Sequence, residues 1–162
     1  MTSWTQTTLI PIAVAAAAVT AVAVTGALAT DTGPWYRRLA KPSWHPPDWL
    51  FGPAWTLIFA LIAASAVKSW WDVPAGGARQ LIVLLFVVNG ALNALWSVLF
   101  FALRRPDWAL VEVLLLWLSI VVLIYVLSDY SAPAAWLLVP YLLWVSFASA
   151  LNLAVVRLNP AS

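Results

Sequence analysis

The chain has no cysteine. This excludes disulfides, a thiolate nucleophile, iron–sulfur clusters and Cys-ligated zinc, and it leaves the redox compartment open. Charge is also scarce. Its 8 Lys and Arg and 6 Asp and Glu make up 9% of 162 residues, against about 25% in a soluble domain. So few charges cannot solvate a globular surface. The formal net charge of +2 comes without a basic stripe, which argues against nucleic acid as a partner. No two of the carboxylates form a recognisable acid/base dyad; Asp31, Asp48, Asp107 and Asp129 read as loop or cap residues.

Apolar sequence dominates instead, at 64% hydrophobic residues and a mean hydropathy of +0.94. Stretches at 9–28, 51–70, 80–103, 108–127 and 133–156 are each long enough to cross a bilayer, which takes about 20 residues. The connections at 104–107 and 128–132 are short, so neighbouring helices are expected to be antiparallel. The expectation is an all-α integral membrane bundle of five transmembrane helices, one domain over residues 1–162, with a loop at 29–50.

Ala27-Leu28-Ala29 looks like a signal-peptidase site. However, no Lys or Arg precedes the first apolar run, and the run exceeds the usual signal core of about 7–15 residues, so it is expected to remain a span. Within it, Ala17, Ala21 and Thr25 lie four apart, as do Ala18, Val22 and Gly26. Such small-residue spacing permits close helix contact, inside the bundle or across a dimer; an alanine-rich genome is the plainer explanation. Arg37, Arg38, Lys41, Arg104, Arg105 and Arg157 fall on one side of the membrane, and only Lys68 and Arg79 on the other. The positive-inside bias places the first loop and the C-terminus in the cytoplasm and the N-terminus outside.

The segment Lys41-Pro42-Ser43-Trp44-His45-Pro46-Pro47-Asp48-Trp49-Leu50-Phe51-Gly52-Pro53-Ala54-Trp55 concentrates proline, tryptophan and the only histidine. Proline fixes φ and removes a donor, so Trp44 to Pro47 cannot continue a helix. It reads as a stiff aromatic loop ending at Pro53, where a new helix can start. Of the twelve tryptophans, Trp35, Trp49, Trp70, Trp71, Trp108 and Trp136 sit near span ends, where indoles favour the membrane–water boundary. Trp55, Trp96, Trp117 and Trp144 lie within spans, where an indole N–H needs a partner.

Residues at i, i+3, i+4 and i+7 share a helix face. On that rule Asn89, Asn93, Trp96 and Phe100 form one stripe, Trp55, Phe59 and Ile62 a second, and Trp144, Phe147, Ala148 and Leu151 a third with Asn152 at its edge. Trp117 is turned away, toward lipid or a partner protomer. Amides and aromatics together inside a membrane fit either a ligand cavity or hydrogen-bonded helix adhesion. Pro140 favours the cavity, since helix breaks often line one.

The loop motif just quoted resembles the TspO/MBR family, the tryptophan-rich sensory proteins and translocator protein (peripheral benzodiazepine receptor). The similarity continues in Ala91-Leu92-Asn93-Ala94-Leu95-Trp96 with Phe100-Phe101, in Asp107-Trp108-Ala109-Leu110-Val111-Glu112, and in Pro140-Tyr141-Leu142-Leu143-Trp144 with Phe147-Ala148 and Leu151-Asn152. The blocks keep the family's order and spacing over about residues 35–157. The resemblance implies five helices, a frequent homodimer, and a pocket near the end covered by the first loop. Its ligands are porphyrins such as protoporphyrin IX and haem, sterols in animal members, and synthetic translocator-protein ligands. Carried over by motif, ligand contacts fall on Tyr36, Trp44, Trp55, Asn93, Trp96, Trp144, Phe147 and Ala148. Arg37, Arg38 or Lys41 would meet propionates, or simply anchor the loop in the cytoplasm.

The family's proposed cholesterol motif needs a tyrosine where this chain has Leu153. The motif is weak even when complete, so a sterol partner is not expected, and a bacterial inner membrane is the simpler setting. No cofactor is expected to be tightly bound, porphyrin or haem being a ligand, and no metal site beyond His45 as a candidate haem ligand. A lone loop histidine more often caps or packs. Glu112 is expected to pair with Arg104 or Arg105, although a membrane carboxylate is also a functional candidate.

Three functions stay open. The leading one is a membrane receptor, sensor or carrier for tetrapyrroles. The second is a light- and oxygen-dependent porphyrin-degrading enzyme, which by motif would use Trp55 and Trp144. The third is a structural or partner-binding dimer. A retinal pigment would need a lysine deep in a helix, whereas Lys68 is at a span end; a proton-coupled exporter would need a central carboxylate, and no span has one.

Overall fold

Proline marks where most of the helices begin. The computed structural model describes residues 9–160, and in it α1 (Ile10–Ala29), α2 (Pro34–Arg38), α5 (Pro106–Ser128), α6 (Ala132–Leu137) and α7 (Val139–Leu158) each carry a proline in the first or second position. The missing N–H costs nothing there, because first-turn donors have no acceptor within the helix. The other two helices are α3 (Phe51–Asp72) and α4 (Gly77–Ser97). α3 starts at Phe51 rather than Pro53, directly after a 3-10 turn at Asp48–Leu50. Pro53 occupies its third position, still within the turn that tolerates it.

Five segments are long and apolar enough to span a membrane: Ile10–Ala29, Asp48–Asp72, Gly77–Ala102, Pro106–Ser128 and Ala132–Leu158. Each boundary lies within three residues of the stretch expected from hydropathy. The chain is an all-α, multi-pass membrane protein, and among the described residues there is no strand. Helices satisfy every backbone group internally, which hydrocarbon demands.

α5 is the centre of the bundle, packed on α4 and α7. Its buried positions Ala109, Val113, Leu116, Ile120, Leu123 and Leu127 alternate spacings of four and three, the seam that packs helices at shallow angles. Ile58 and Ile62 of α3 join this core, as do Tyr141 and Val145 of α7. α1 lies outside, on α3 and α4. A Cβ on Gly90 would stand 3.2 Å from Val22, and one on Gly26 3.5 Å from Ser97. Thus Val22 and Gly26 of one small-residue register do serve contact within the bundle.

Two irregularities shape the site. The fifth span is broken at Leu138, with Pro140 in the first turn of α7. The third span ends in a π-helical turn at Val98–Ala102, with Leu103 N–H donating to the Val98 carbonyl at 2.9 Å. A π turn adds a residue per loop of backbone. It brings Phe100 and Phe101 together, their ring centroids 4.8 Å apart, and sets both against Trp96.

Candidate ligand site beneath the first loop

The loop between α1 and α3 is pinned along its length. Tyr36 in α2 is buried, because its ring packs on Phe101 with centroids 5.6 Å apart. Its hydroxyl donates to Asp48 at 3.3 Å and lies 3.2 Å from Nε2 of His45. Lys41 Nζ sits 3.8 Å from the centroid of the Tyr36 ring, a cation–π contact. Burial, reinforced by the Asp48 carboxylate, raises the Tyr36 hydroxyl above its ordinary pKa. At the α7 end, Asn159 takes a hydrogen bond from Ala40 N–H (3.0 Å) and returns one to the Ala40 carbonyl (2.9 Å).

His45 is therefore packed into the first loop, with Nε2 beside Tyr36 and its ring 5.8 Å from that of Phe51. Burial and the neighbouring Lys41 charge lower its pKa from an ordinary value of about 6.5. The packed loop thus prefers neutral imidazole. Its stability is intact above that value and falls as pH drops below it, because the unpacked loop takes up the proton first. Hydrogen exchange in residues 36–50, corrected for intrinsic rate, should be faster at about pH 5 than at about pH 7.5. His45→Gln should flatten that difference.

Beneath the lid the aromatic side chains converge. Trp44, exposed on its outer face, meets Phe147 edge-on at 5.8 Å. Trp144 contacts Phe51 (5.7 Å), Trp55 (6.3 Å) and Phe147 (5.7 Å). Trp55 stacks on Phe59 at 5.3 Å and meets Tyr141 at 6.3 Å. Loop, α3 and α7 contribute to one cluster, and Ala148 is half-buried beside Phe147. The indole N–H of Trp144 is buried without a hydrogen-bond partner among the described residues. A donor left open in an aromatic wall is a place for a ligand's acceptor.

Asn93 and Trp96 belong to a different set of contacts. Asn93 donates to the Tyr141 hydroxyl at 2.9 Å, Asn89 to Ser119 at 2.8 Å, and the Trp96 indole to Asn152 at 3.2 Å. Asn152 in turn donates to the Pro106 carbonyl at 2.9 Å. Each rung joins two helices, so this stripe works as adhesion through its amides. Trp117 lies at the lipid-facing side, with its indole on Ser146 at 2.8 Å.

Glu112 does not pair with Arg104 or Arg105. Arg104 lies 3.6 Å from Asp31, and Arg105 pairs with Asp107 two residues along. Glu112 is on the buried face of α5, only 4% exposed, with both carboxyl oxygens unpartnered among the described residues. The arginines have nearer acids in the same loop region, and helical geometry turns Glu112 inward, away from them. Arg37 and Arg38 are exposed in the last turn of α2, where cations complement the carbonyl end of a helix. Among the described residues, no group of three or more His, Asp or Glu side chains could hold a metal.

Sequence reasoning missed Phe51 and Asn159. Phe51 was recoverable, since it precedes Trp55 by four and extends the α3 stripe by a turn. Asn159 was not, because its partner lies 119 residues away.

The TspO/MBR family model matches residues 12–158. The chain is 43% identical over 126 residues to the tryptophan-rich protein TspO of Chlorobaculum tepidum, covering 78% of this chain and 80% of that one. It is 37% identical over 136 residues to protein CrtK of Rhodobacter capsulatus, covering 84% of each. To the translocator protein of Homo sapiens it is 37% identical over 127 residues, covering 77% and 75%. The tryptophan loop, the aromatic cluster under it and all but the first two residues of the five spans fall within the matched region, and the chain belongs to the TspO/MBR family.

Proposed function

We propose that this chain is a membrane receptor, sensor or carrier that binds a tetrapyrrole such as protoporphyrin IX or haem under its first loop. The observation that carries the reading is the Trp44, Phe51, Trp55, Trp144 and Phe147 cluster, drawn from loop, α3 and α7. Flat indole and phenyl faces suit a planar macrocycle, and the open Trp144 N–H offers a donor to it. Sensor-type naming of relatives, such as the tryptophan-rich sensory protein of Cereibacter sphaeroides, supports the same direction. The charge bias of the loops supports an outside N-terminus and cytoplasmic lid, in a bacterial inner membrane.

Titration of the purified protein with protoporphyrin IX, followed by tryptophan quenching, tests the proposal. Saturable quenching at about one ligand per chain, with a Kd in the micromolar range or tighter, is the expected result. Quenching that grows linearly without saturation would show only partition into the detergent or bilayer.

A second reading, porphyrin breakdown by light and oxygen, is favoured by the edge-to-face contact of Trp55 and Trp144 at 6.3 Å. Aerobic illumination of the complex would then yield a new chromophore, and Trp55→Phe with Trp144→Phe would abolish it while binding persists.

A further inference from the structure

A cavity of about 500 Å³ lies between α1, α3 and α4; it meets the back of the tryptophan cluster at Phe59 and Tyr141 and extends from there toward the opposite membrane boundary. It opens because α1 touches α4 at Val22/Gly90 and Gly26/Ser97 and leaves space toward its N-terminal end. Its walls run from the level of Ile10 and Arg79 to that of Thr25 and Ala94, about 22 Å by helical rise. The walls are apolar, with Ala18 and Phe86 typical of them. The amides at its floor are already committed, Asn89 to Ser119 and Asn93 to Tyr141.

Arg79 is the one charged residue in the lining. It stands at the span boundary opposite the lid, its guanidinium held by two bonds to the Val73 carbonyl (2.7 and 3.2 Å) and 4.7 Å from the Trp70 ring. Guanidinium carries five N–H donors, so others stay available beyond Val73. Lys68, the other cation on that side, is bound to Asp72 at 2.6 Å. Arg79 has no carboxylate partner among the described residues.

We infer that this cleft is a binding site for one acyl chain of an anionic phospholipid, with the phosphate held by Arg79 at the membrane boundary. The hydrocarbon of one leaflet is about 15 Å deep, so a single chain running inward from Arg79 fits within the length. A tetrapyrrole is a poor match, because its polar groups would face a wall whose amides are already engaged. Arginine presents a planar fork suited to phosphate, and an anionic headgroup completes a cation that the protein leaves without a counter-ion.

The full chain, released from nanodiscs of phosphatidylcholine doped with phosphatidylglycerol, is analysed by native mass spectrometry. The expected result is one retained phosphatidylglycerol per chain, in preference to phosphatidylcholine. Arg79→Gln should reduce that preference about fivefold, while Arg157→Gln at the other boundary leaves it unchanged. Ala18→Leu, which fills the cleft with hydrocarbon, should reduce retention of either lipid without lowering helicity. Equal retention of both lipids by the wild type overturns the inference, as does indifference to Arg79→Gln and Ala18→Leu. A shift in oligomeric mass by Ala18→Leu with lipid retention unchanged also overturns it and assigns the cleft to a second copy. Porphyrin quenching serves as an independent readout and should be unaffected by all three variants.

Discussion

Trp144→Phe should weaken tetrapyrrole binding by about tenfold while leaving the ligand-free protein as stable as before, or slightly more so. The two effects have opposite origins. The ring contacts of Trp144 with Phe51, Trp55 and Phe147 are largely kept by phenylalanine. What disappears is an indole N–H that is buried without a partner. A buried donor with no acceptor is a burden of about 1–3 kcal/mol, so its removal does not harm the empty state. In the complex the same N–H meets a ligand acceptor, and a hydrogen bond to a charged group is worth roughly 1.5–3 kcal/mol, or about tenfold in Kd per 1.4 kcal/mol. Trp144→Ala should cost more, about 100-fold, since stacking is lost too; aromatic platforms lose about 1–3 kcal/mol on truncation. Quenching titrations and thermal melts on the same samples separate the two. If Trp144→Phe destabilises the free protein and binds normally, the tryptophan is a packing residue only.

Asn152→Leu should lower stability by about 1–3 kcal/mol and be the most damaging single amide replacement in the bundle. Asn152 is 1% exposed and joins three elements at one point: it accepts from the Trp96 indole and donates to the Pro106 carbonyl at the start of α5. Leucine keeps the branching and heavy-atom count of asparagine while losing both hydrogen-bonding groups, so the loss is chiefly polar, with some added crowding from its bulkier methyls. It strands the Trp96 N–H at the base of the π turn. Asn89→Leu removes the bond to Ser119 and a contact with the Tyr141 hydroxyl, but Ser119 retains a bond to the Leu116 carbonyl at 2.7 Å and Tyr141 retains Asn93. It should therefore cost less than half as much. Unfolding midpoints in a graded detergent or denaturant series give the comparison, and equal losses would show that the rungs are interchangeable.

Hydropathy made the spans legible, because the bilayer imposes a length on every crossing segment. Helical periodicity also put Asn89, Asn93, Trp96 and Phe100 on one face. It could not say what that face meets. A stripe of amides reads the same whether it lines a cavity or bonds to the next helix, and here Asn89 and Asn93 do both, bordering the cavity beside α1 while each bonds to another helix. The pairing of Glu112 failed for a related reason. Proximity along the chain favoured the arginines of the preceding loop, while rotation about α5 turned the carboxyl into the bundle. The π turn at Val98–Ala102 was hidden as well, since no proline or glycine marks it and its effect is to move Phe101 off the face that regular winding assigns.

The clasp between Ala40 and Asn159 spans 119 positions of the chain. Translation runs from one end to the other, so the lid is made early and its fastening last. During synthesis the loop waits, unlatched, until the final helix has entered the membrane and brought Asn159 into place. The tryptophan cluster is completed at that same moment, since Trp144 and Phe147 also arrive with α7. A ribosome-bound chain stalled before α7 therefore presents the four earlier spans and an unlatched loop, without the Trp144 and Phe147 part of the aromatic cluster. On the proposed reading, ligand capture would wait for this last event of assembly.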